Sequence, residues 1–293
     1  MAVSFDRSLD APYGAAVRLS PLVARLLAPN PGPFTFKGTG VYIVGGGRDV
    51  AVIDPGPDDP AHLEALKRAL AGRKVSHILV THTHRDHSPA AAALKAWSGA
   101  PTFGYGPHVT LGGDVEAGAD RSFAPDVAVR DGTRIAGADF TLECVFTPGH
   151  TANHMCYGLR EEDALFTGDH VMGWSTSVVA PPDGDMGDYL ASLEKLIRRR
   201  DRILYPTHGS PVTAPRELLR AFLLHRRMRE VQIVGAVKDG AESSAALTAK
   251  LYPGLDPALV KAARLTVEAH LQLLLRQGRI LRAADGRYTV ANG

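Results

Sequence analysis

Three features of the chain predict an α/β (α+β) fold in which sheets pack against each other with helices on the outside. Short apolar runs outnumber helical stretches, Gly, Pro or Asp turns close nearly every run, and long amphipathic helices take over after Pro215. At 293 residues the chain can bury an independent core, and 45% apolar with 22% charged residues is ordinary for a globular protein.

The elements follow in order. "VYIVGGGRDVAVIDPG" reads as two strands joined by a Gly-rich hairpin, the second ending at Asp54. "DPAHLEALKRALAG" has an acidic cap, a proline in the first turn, helical apolar spacing and a closing glycine. "VSHILVTHTHRDH" is a short buried strand whose end delivers a histidine cluster, and a helix "SPAAAALKAWSG" follows. The middle reads as further strands: "PTFGY", "DVAVRDG", "DFTLECVFTPGH", "HMCYGLR" and "DALFTGDH". Then come a helix "DMGDYLASLEKLIRRR" and a strand "RILYPTHG". Beyond Pro215 lie helices in "PRELLRAFLLHRRMREVQIVGAVKDG", "ESSAALTAKLYPG" and "DPALVKAARLTVEAHLQLLLRQG", with a hairpin around Asp285-Gly286. Three helices and a hairpin predict a winged helix, which divides the chain into domains 1–215 and 216–293.

Cys144 and Cys156 sit in apolar strand-like surroundings and are expected to be reduced packing residues. The start "MAVSFDRSLD" lacks the apolar run of a secretory signal, and no segment reaches the ~18 apolar residues of a membrane span, so a cytoplasmic location is expected. The net charge of +2 discriminates little, but its distribution is uneven: residues 216–293 carry 13 Lys+Arg against 7 Asp+Glu, a net of +6. Such a tail suits phosphates. The alternative is a lid or dimer module, with the oligomeric state open and a homodimer among the options.

The chemistry concentrates in "THTHRDHS", Thr81 to Ser88. In an extended loop His82 and His84 point to one side, and the following turn swings Asp86 and His87 toward a neighbouring point. Two adjacent metal positions result, and imidazole with carboxylate suits zinc. Alone, the cluster leaves a histidine-rich surface turn or a single zinc clamp as alternatives. His150 in "FTPGHT", Asp169 in "LFTGDH" and His208 in "LYPTHG" each follow a strand-like run and a Gly or Pro turn, an order hard to produce by accident.

Together with Asp54 in "VIDPG", the stretches "THTHRDH", "TPGHT", "FTGDH" and "PTHG" resemble the five motifs of the metallo-β-lactamase superfamily of hydrolases, over about residues 40 to 210. The resemblance implies a four-layer αββα sandwich with a two-metal site at one edge. By position, His82, His84 and His150 hold the first of two zinc ions, Asp86, His87 and His208 the second, and Asp169 bridges them. Asp54 holds the histidine loop without being a ligand. Manganese or iron could replace zinc, although flavodiiron relatives carry glutamate in place of His84. Zinc β-lactamases place cysteine where Asp169 stands. Glyoxalase II shares the ligand types but has a helical glutathione-binding tail. "APNPGPFTFKGTGVYIVG" and "TGDHVMGWSTSVVAPPDGDMGDYLASLEKL" most resemble the beta-lactamase-like protein two group, which includes endoribonucleases acting on single-stranded RNA.

The expected function is therefore a zinc hydrolase in which a metal-bridging hydroxide attacks a phosphodiester of single-stranded RNA and catalytic Asp86 aims the nucleophile. The alternative substrate is a small ester, thioester or lactone; a nucleic-acid-binding protein with a structural metal is the remaining class. His154, His170 and Tyr205 are candidates for leaving-group acid. Trp174, Ser175 and Thr176 are expected at the mouth, "IRRRDR" from Ile197 to Arg202 is a candidate phosphate patch, and His62, His77, His108, His225 and His270 are expected to be surface or helix residues.

Overall fold

The computed structural model describes residues 3–109 and 118–291. One sheet holds β1 (Ala16–Arg18), β2 (Val23–Leu27), β3 (Gly40–Val44), β4 (Asp49–Ile53), β5 (Lys74–Leu79), β6 (Thr102–Gly104) and β7 (Val127–Ala128), in that order. Its first four strands are antiparallel and the rest parallel, with α1 (Pro60–Ala69) and α2 (Ala90–Ser98) as crossovers. The second sheet has the order β12-β11-β10-β9-β8, formed by β8 (Arg134–Ala136), β9 (Thr141–Phe146), β10 (Met155–Leu159), β11 (Ala164–Gly168) and β12 (Ile203–Pro206). Parallel β11 and β12 are linked across α3 (Met186–Arg198).

Period-two side-chain alternation builds the layers. In β3, Tyr42 and Val44 face the second sheet, while Val41 and Ile43 face α1 and α2; in β4, Ala51 and Ile53 divide from Val50 and Val52 in the same way. The intersheet core adds Leu142, Tyr157 and Phe166, and the far side of the second sheet is covered by α3. The outcome is the four-layer αββα sandwich. Hydrogen bonds to backbone carbonyls tie the two sheets together: Gly40 N donates to Thr207 O at 2.8 Å, and the Tyr157 hydroxyl donates to Val80 O at 2.7 Å.

Cys144 lies in the core between the sheets and Cys156 in the core under α3, so they occupy opposite faces of one sheet and are free. Burial pushes both thiols up to about 12. Iodoacetamide is expected to label neither in the native protein at neutral pH and both after denaturation; rapid native labelling would contradict this packing.

The helical tail comprises α4 (Pro215–Lys238), α5 (Ser244–Leu251) and α6 (Pro257–Arg276), followed by the hairpin of β13 (Ile280–Arg282) and β14 (Tyr288–Val290). The wing turn carries Gly286 at φ +86°, as the Asp-Gly signal predicts. Helix α4 serves two cores: Leu219 and Phe222 pack under α3, whereas Ile233, Ala236 and Val237 pack with Leu247, Val267 and Ile280. Helix α6 divides likewise, with Ala269 and Leu273 in the first of these cores and Leu271 and Leu274 in the second.

Strands β1, β2 and β8 go beyond the sequence expectations. Two of them are only three residues long. In β2 the charge of Arg25 interrupts the apolar run, yet its side chain is buried and donates to Gly209 O at 3.1 Å. His62 and His270 lie on helices as expected but are fully buried, His62 Nε2 pairing with Pro55 O at 2.9 Å. Among the described residues no helix is long and apolar enough to cross a membrane.

Candidate metal centre

Strands β9, β11 and β12 run in one direction, since two antiparallel steps separate β9 from β11 and β12 is parallel to β11. The loops at their C-terminal ends, with the loop after β5, therefore meet at one edge of the sandwich. His82, His84, Asp86 and His87 follow β5, His150 follows β9, Asp169 follows β11, and His208 follows β12.

All seven expected ligands converge there, in two groups. His82, His84, His150 and Asp169 offer ligand atoms within 4.8 Å of one another, as do Asp86, His87 and His208. Asp169 links the groups: Oδ1 lies 3.3 Å from His208 Nε2 and 3.6 Å from His87 Nε2, while Oδ2 lies 3.8 Å from His150 Nε2.

The hydrogen bonds behind these groups set which ring nitrogens face inward. Nδ1 of His150 pairs with Val178 O at 2.6 Å, Nδ1 of His208 with Gly38 O at 3.1 Å, and Nδ1 of His87 with Asp54 Oδ2 at 2.9 Å. Carbonyls and carboxylates only accept, so each Nδ1 carries a proton and each Nε2 is the nitrogen turned inward, the one that a cation would take. His82 follows the same rule: Thr81 Oγ1 donates to Asp54 and accepts from His82 Nδ1 at 3.0 Å. His82 Nε2 and His84 Nδ1 approach to 2.9 Å, and His87 Nε2 and Asp169 Oδ1 are buried without a hydrogen-bond partner. Converging ring nitrogens and carboxylates, with buried polar atoms that lack a hydrogen-bond partner, are what a cation pair satisfies, so the donor set fits two divalent ions.

Electrostatics agree. Burial alone would depress His87 and His208, but the facing carboxylates Asp86 and Asp169 raise His87 well above the usual imidazole range and His208 to about 10. Burial would raise both carboxyls, yet His87 and His208 hold Asp86 and Asp169 far below the usual carboxylate range. His82, among the other imidazoles, is depressed by burial and by its neighbours, and His84 falls to about 3 for the same reason. A metal-free centre thus carries its positive charge as protons on His87 and His208, which cations must displace. Zinc titration in weakly buffered solution at pH 7 is expected to release protons, and loading to weaken as pH falls; uptake without proton release would contradict this charge balance.

Asp54 takes the expected supporting place. At φ +50° its buried carboxylate accepts from Thr81 N (2.7 Å), Thr81 Oγ1 (2.8 Å), His87 Nδ1 (2.9 Å) and Thr207 Oγ1 (3.2 Å), tying together the loops after β4, β5 and β12. Thr39 Oγ1 donates to Asp86 Oδ2 at 3.1 Å. Thr39, Gly38 and Val178 are supporting groups that sequence reasoning missed, because two act through backbone carbonyls. Thr81 and Thr207 had a signal, the repeated Thr-His dipeptide. Gly149 at φ +133° admits no side chain, since a Cβ there would lie 2.3 Å from Tyr189 Cα.

The three leaving-group candidates are all enclosed. Tyr205 lies in the intersheet core, its ring 5.4 Å from that of Phe166. His154 lies behind His82, with ring centroids 5.1 Å apart, and Nδ1 meets Thr147 Oγ1 at 2.9 Å. His170 packs 4.6 Å from the Tyr189 ring, and burial depresses it to about 3. Trp174, Ser175 and Thr176 are half-buried; Trp174 stacks on Phe36 at 5.0 Å, beside the Gly38 carbonyl that holds His208. The "IRRRDR" segment precedes β12 and so sits at the opposite end of that strand from His208, with Arg199 paired to Asp201 and Glu143. His77 lies half-buried in β5, and His108 Nδ1 pairs with Thr83 Oγ1 at 3.2 Å.

Comparison with known proteins matches the same two parts. Residues 35–208 match the Metallo-beta-lactamase superfamily, and residues 243–288 the Beta-lactamase associated winged helix domain. A Beta-lactamase-like protein 2 homolog of Caenorhabditis elegans is 32% identical over 269 residues, covering 89% of this chain and 86% of that protein. The Lactamase-like protein adaB of Aspergillus niger is 33% identical over 74% of this chain, which spans 64% of the fungal protein's length. An Atrochrysone carboxyl ACP thioesterase of Claviceps purpurea is 33% identical over 75% of this chain and 66% of its own. The crystal structure of a metallo-beta-lactamase family protein from Thermus thermophilus superposes with a TM-score of 0.78 at 25% identity, covering 93% of this chain and all of that one. With the sandwich and the winged helix both matched, the chain belongs to the metallo-beta-lactamase superfamily of metal-dependent hydrolases.

Proposed function

We propose that this protein is a binuclear zinc hydrolase acting on an acyl thioester or ester. His82, His84 and His150 would hold one ion, Asp86, His87 and His208 the other, and Asp169 both. Bound cations supply Lewis acidity, polarising the scissile group and making water acidic near neutral pH. Asp86, its side chain 25% exposed against 11% for Asp169, is the carboxylate placed to accept the proton of the attacking water. Thr39 and His208 hold it toward the mouth. The fixed Nδ1 protons of His82, His87, His150 and His208 carry the metal reading.

Ion pairs engage several arginines of the tail that would otherwise be free to meet phosphates. Arg264 pairs with Glu268, Arg276 with Asp185, Arg279 with Glu230, and Arg287 with Asp285 and Glu242. Helix α6, which would enter a groove as the recognition helix, buries Thr266, Val267, His270 and Leu274. Of these partners only Asp185 lies outside residues 216–293, so the net +6 is little reduced; the acyl substrate is supported by a 33%-identical relative that carries the thioesterase name.

Single-stranded RNA is the second reading, favoured by the stacked Phe36 and Trp174 rings with Lys37 5.7 Å from the Phe36 centroid, a surface on which a base could lie. A substrate panel on metal-analysed protein decides between them. We expect kcat/KM for an acyl thioester to exceed that for bis-p-nitrophenyl phosphate, and labelled single-stranded RNA to remain intact. Metal-dependent RNA cleavage with inert thioesters would reverse the order.

A further inference from the structure

Segment 177–185 lies between the metal centre and the helical tail and is clasped from both sides. On the inner side, Val178 O accepts from His150 Nδ1 at 2.6 Å, and Asp185 N donates to Gly149 O at 3.0 Å. The His150 ring and the backbone just before it are therefore both set by this segment. On the outer side, three residues of α4 and α6 grip it. Arg226 Nη2 donates to Ser177 O. Thr266 Oγ1 accepts from Val179 N at 3.4 Å. Arg276 forms a two-pronged pair with Asp185, at 2.7 and 2.9 Å.

Arg226 is the costly member. Its side chain is 2% exposed, its Nε has no hydrogen-bond partner, and its guanidinium lies 5.1 Å from the Tyr189 ring centroid. No carboxylate is paired with it among the described residues. A buried cation held mainly by one carbonyl and a ring face is a poor stabilising device, and an apolar side chain of similar volume would pack there more cheaply. Its distinctive contribution is directional: it fixes the carbonyl adjacent to the one that orients His150.

We infer that Arg226, with Thr266 and Arg276, is a positioning residue of the metal centre, so that the helical tail sets the coordination of the ion held by His82, His84 and His150. This rests on the proposed two-metal centre. Supporting groups one bond behind a metal-bound imidazole typically change metal affinity about 10–100-fold.

The test is metal binding by the full chain, measured with Zn²⁺ against a chromophoric chelator and with Co²⁺ by its visible spectrum. Arg226→Met keeps the packing volume, Thr266→Val is isosteric, Arg276→Gln lies at a half-exposed site, and His150→Ala is the reference for loss of one position. Wild type is expected to bind two equivalents. Arg226→Met should weaken one of them by up to about tenfold, shift the same Co²⁺ band that His150→Ala removes, and leave the other equivalent unchanged. Arg226→Lys should recover part of the loss. If Arg226→Met fails to fold, Thr266→Val and Arg276→Gln decide, each with a smaller shift in the same equivalent. Folded variants that bind both equivalents as wild type does, or that lose both equally, would overturn the inference and leave the metal centre standing. Wild type that takes up neither ion would overturn both.

Discussion

Asp169→Ala is expected to reduce hydrolysis of any accepted substrate by more than about a hundredfold, beyond the usual effect of losing a merely supporting group. One carboxylate here serves two clusters, since Asp169 Oδ1 faces His87 and His208 while Oδ2 faces His150. Its removal takes a ligand from each group and the negative charge that opposes His208. The fold should survive, because Asp169 sits at a strand end and its contacts are with the other ligands. Metal analysis and far-UV circular dichroism on the same preparation check this. Activity retained in a metal-loaded Asp169→Ala protein would show that the two clusters do not act together.

Asp54→Ala should have the largest effect on stability, lowering it by about 3–5 kcal/mol. The substitution leaves the Thr81 amide, two threonine hydroxyls and the His87 Nδ1 proton without their shared acceptor, all in a buried site. It also places alanine at φ +50°, a conformation that Asn and Asp tolerate better. Asp54→Asn keeps that backbone preference and one acceptor oxygen, and should lose distinctly less. Denaturant unfolding measures both variants, and equal losses would mean that the charge, not the hydrogen-bond geometry, ties the loops.

The strand-end placement of the ligands was legible in the sequence because each follows an apolar run and a turn: "VSHILV" before His82, "DALFTG" before Asp169, "RILYPT" before His208. Local pattern and tertiary position agree at such places, and the four-layer order followed from the same runs together with the motif resemblance. What the sequence conceals is what acts through the backbone. Val178 and Gly38 contribute carbonyls, so their side-chain identities give no sign of the role. Nothing in the local sequence marks Arg25 and Arg226 as buried, yet both are, with a backbone carbonyl as acceptor. The basic tail is legible only in part: net charge is visible in a sequence, but the pairing of Arg276 with Asp185 and of Arg227 with Glu194 depends on groups distant in the chain.

Helix α4 runs unbroken for 24 residues, with one end under α3 and the other inside the winged helix. A rod anchored at both ends cannot hinge without losing its own backbone ladder, so it couples the two cores that it joins. Any load on the winged helix is therefore carried along α4 to Arg226 and the segment that orients His150.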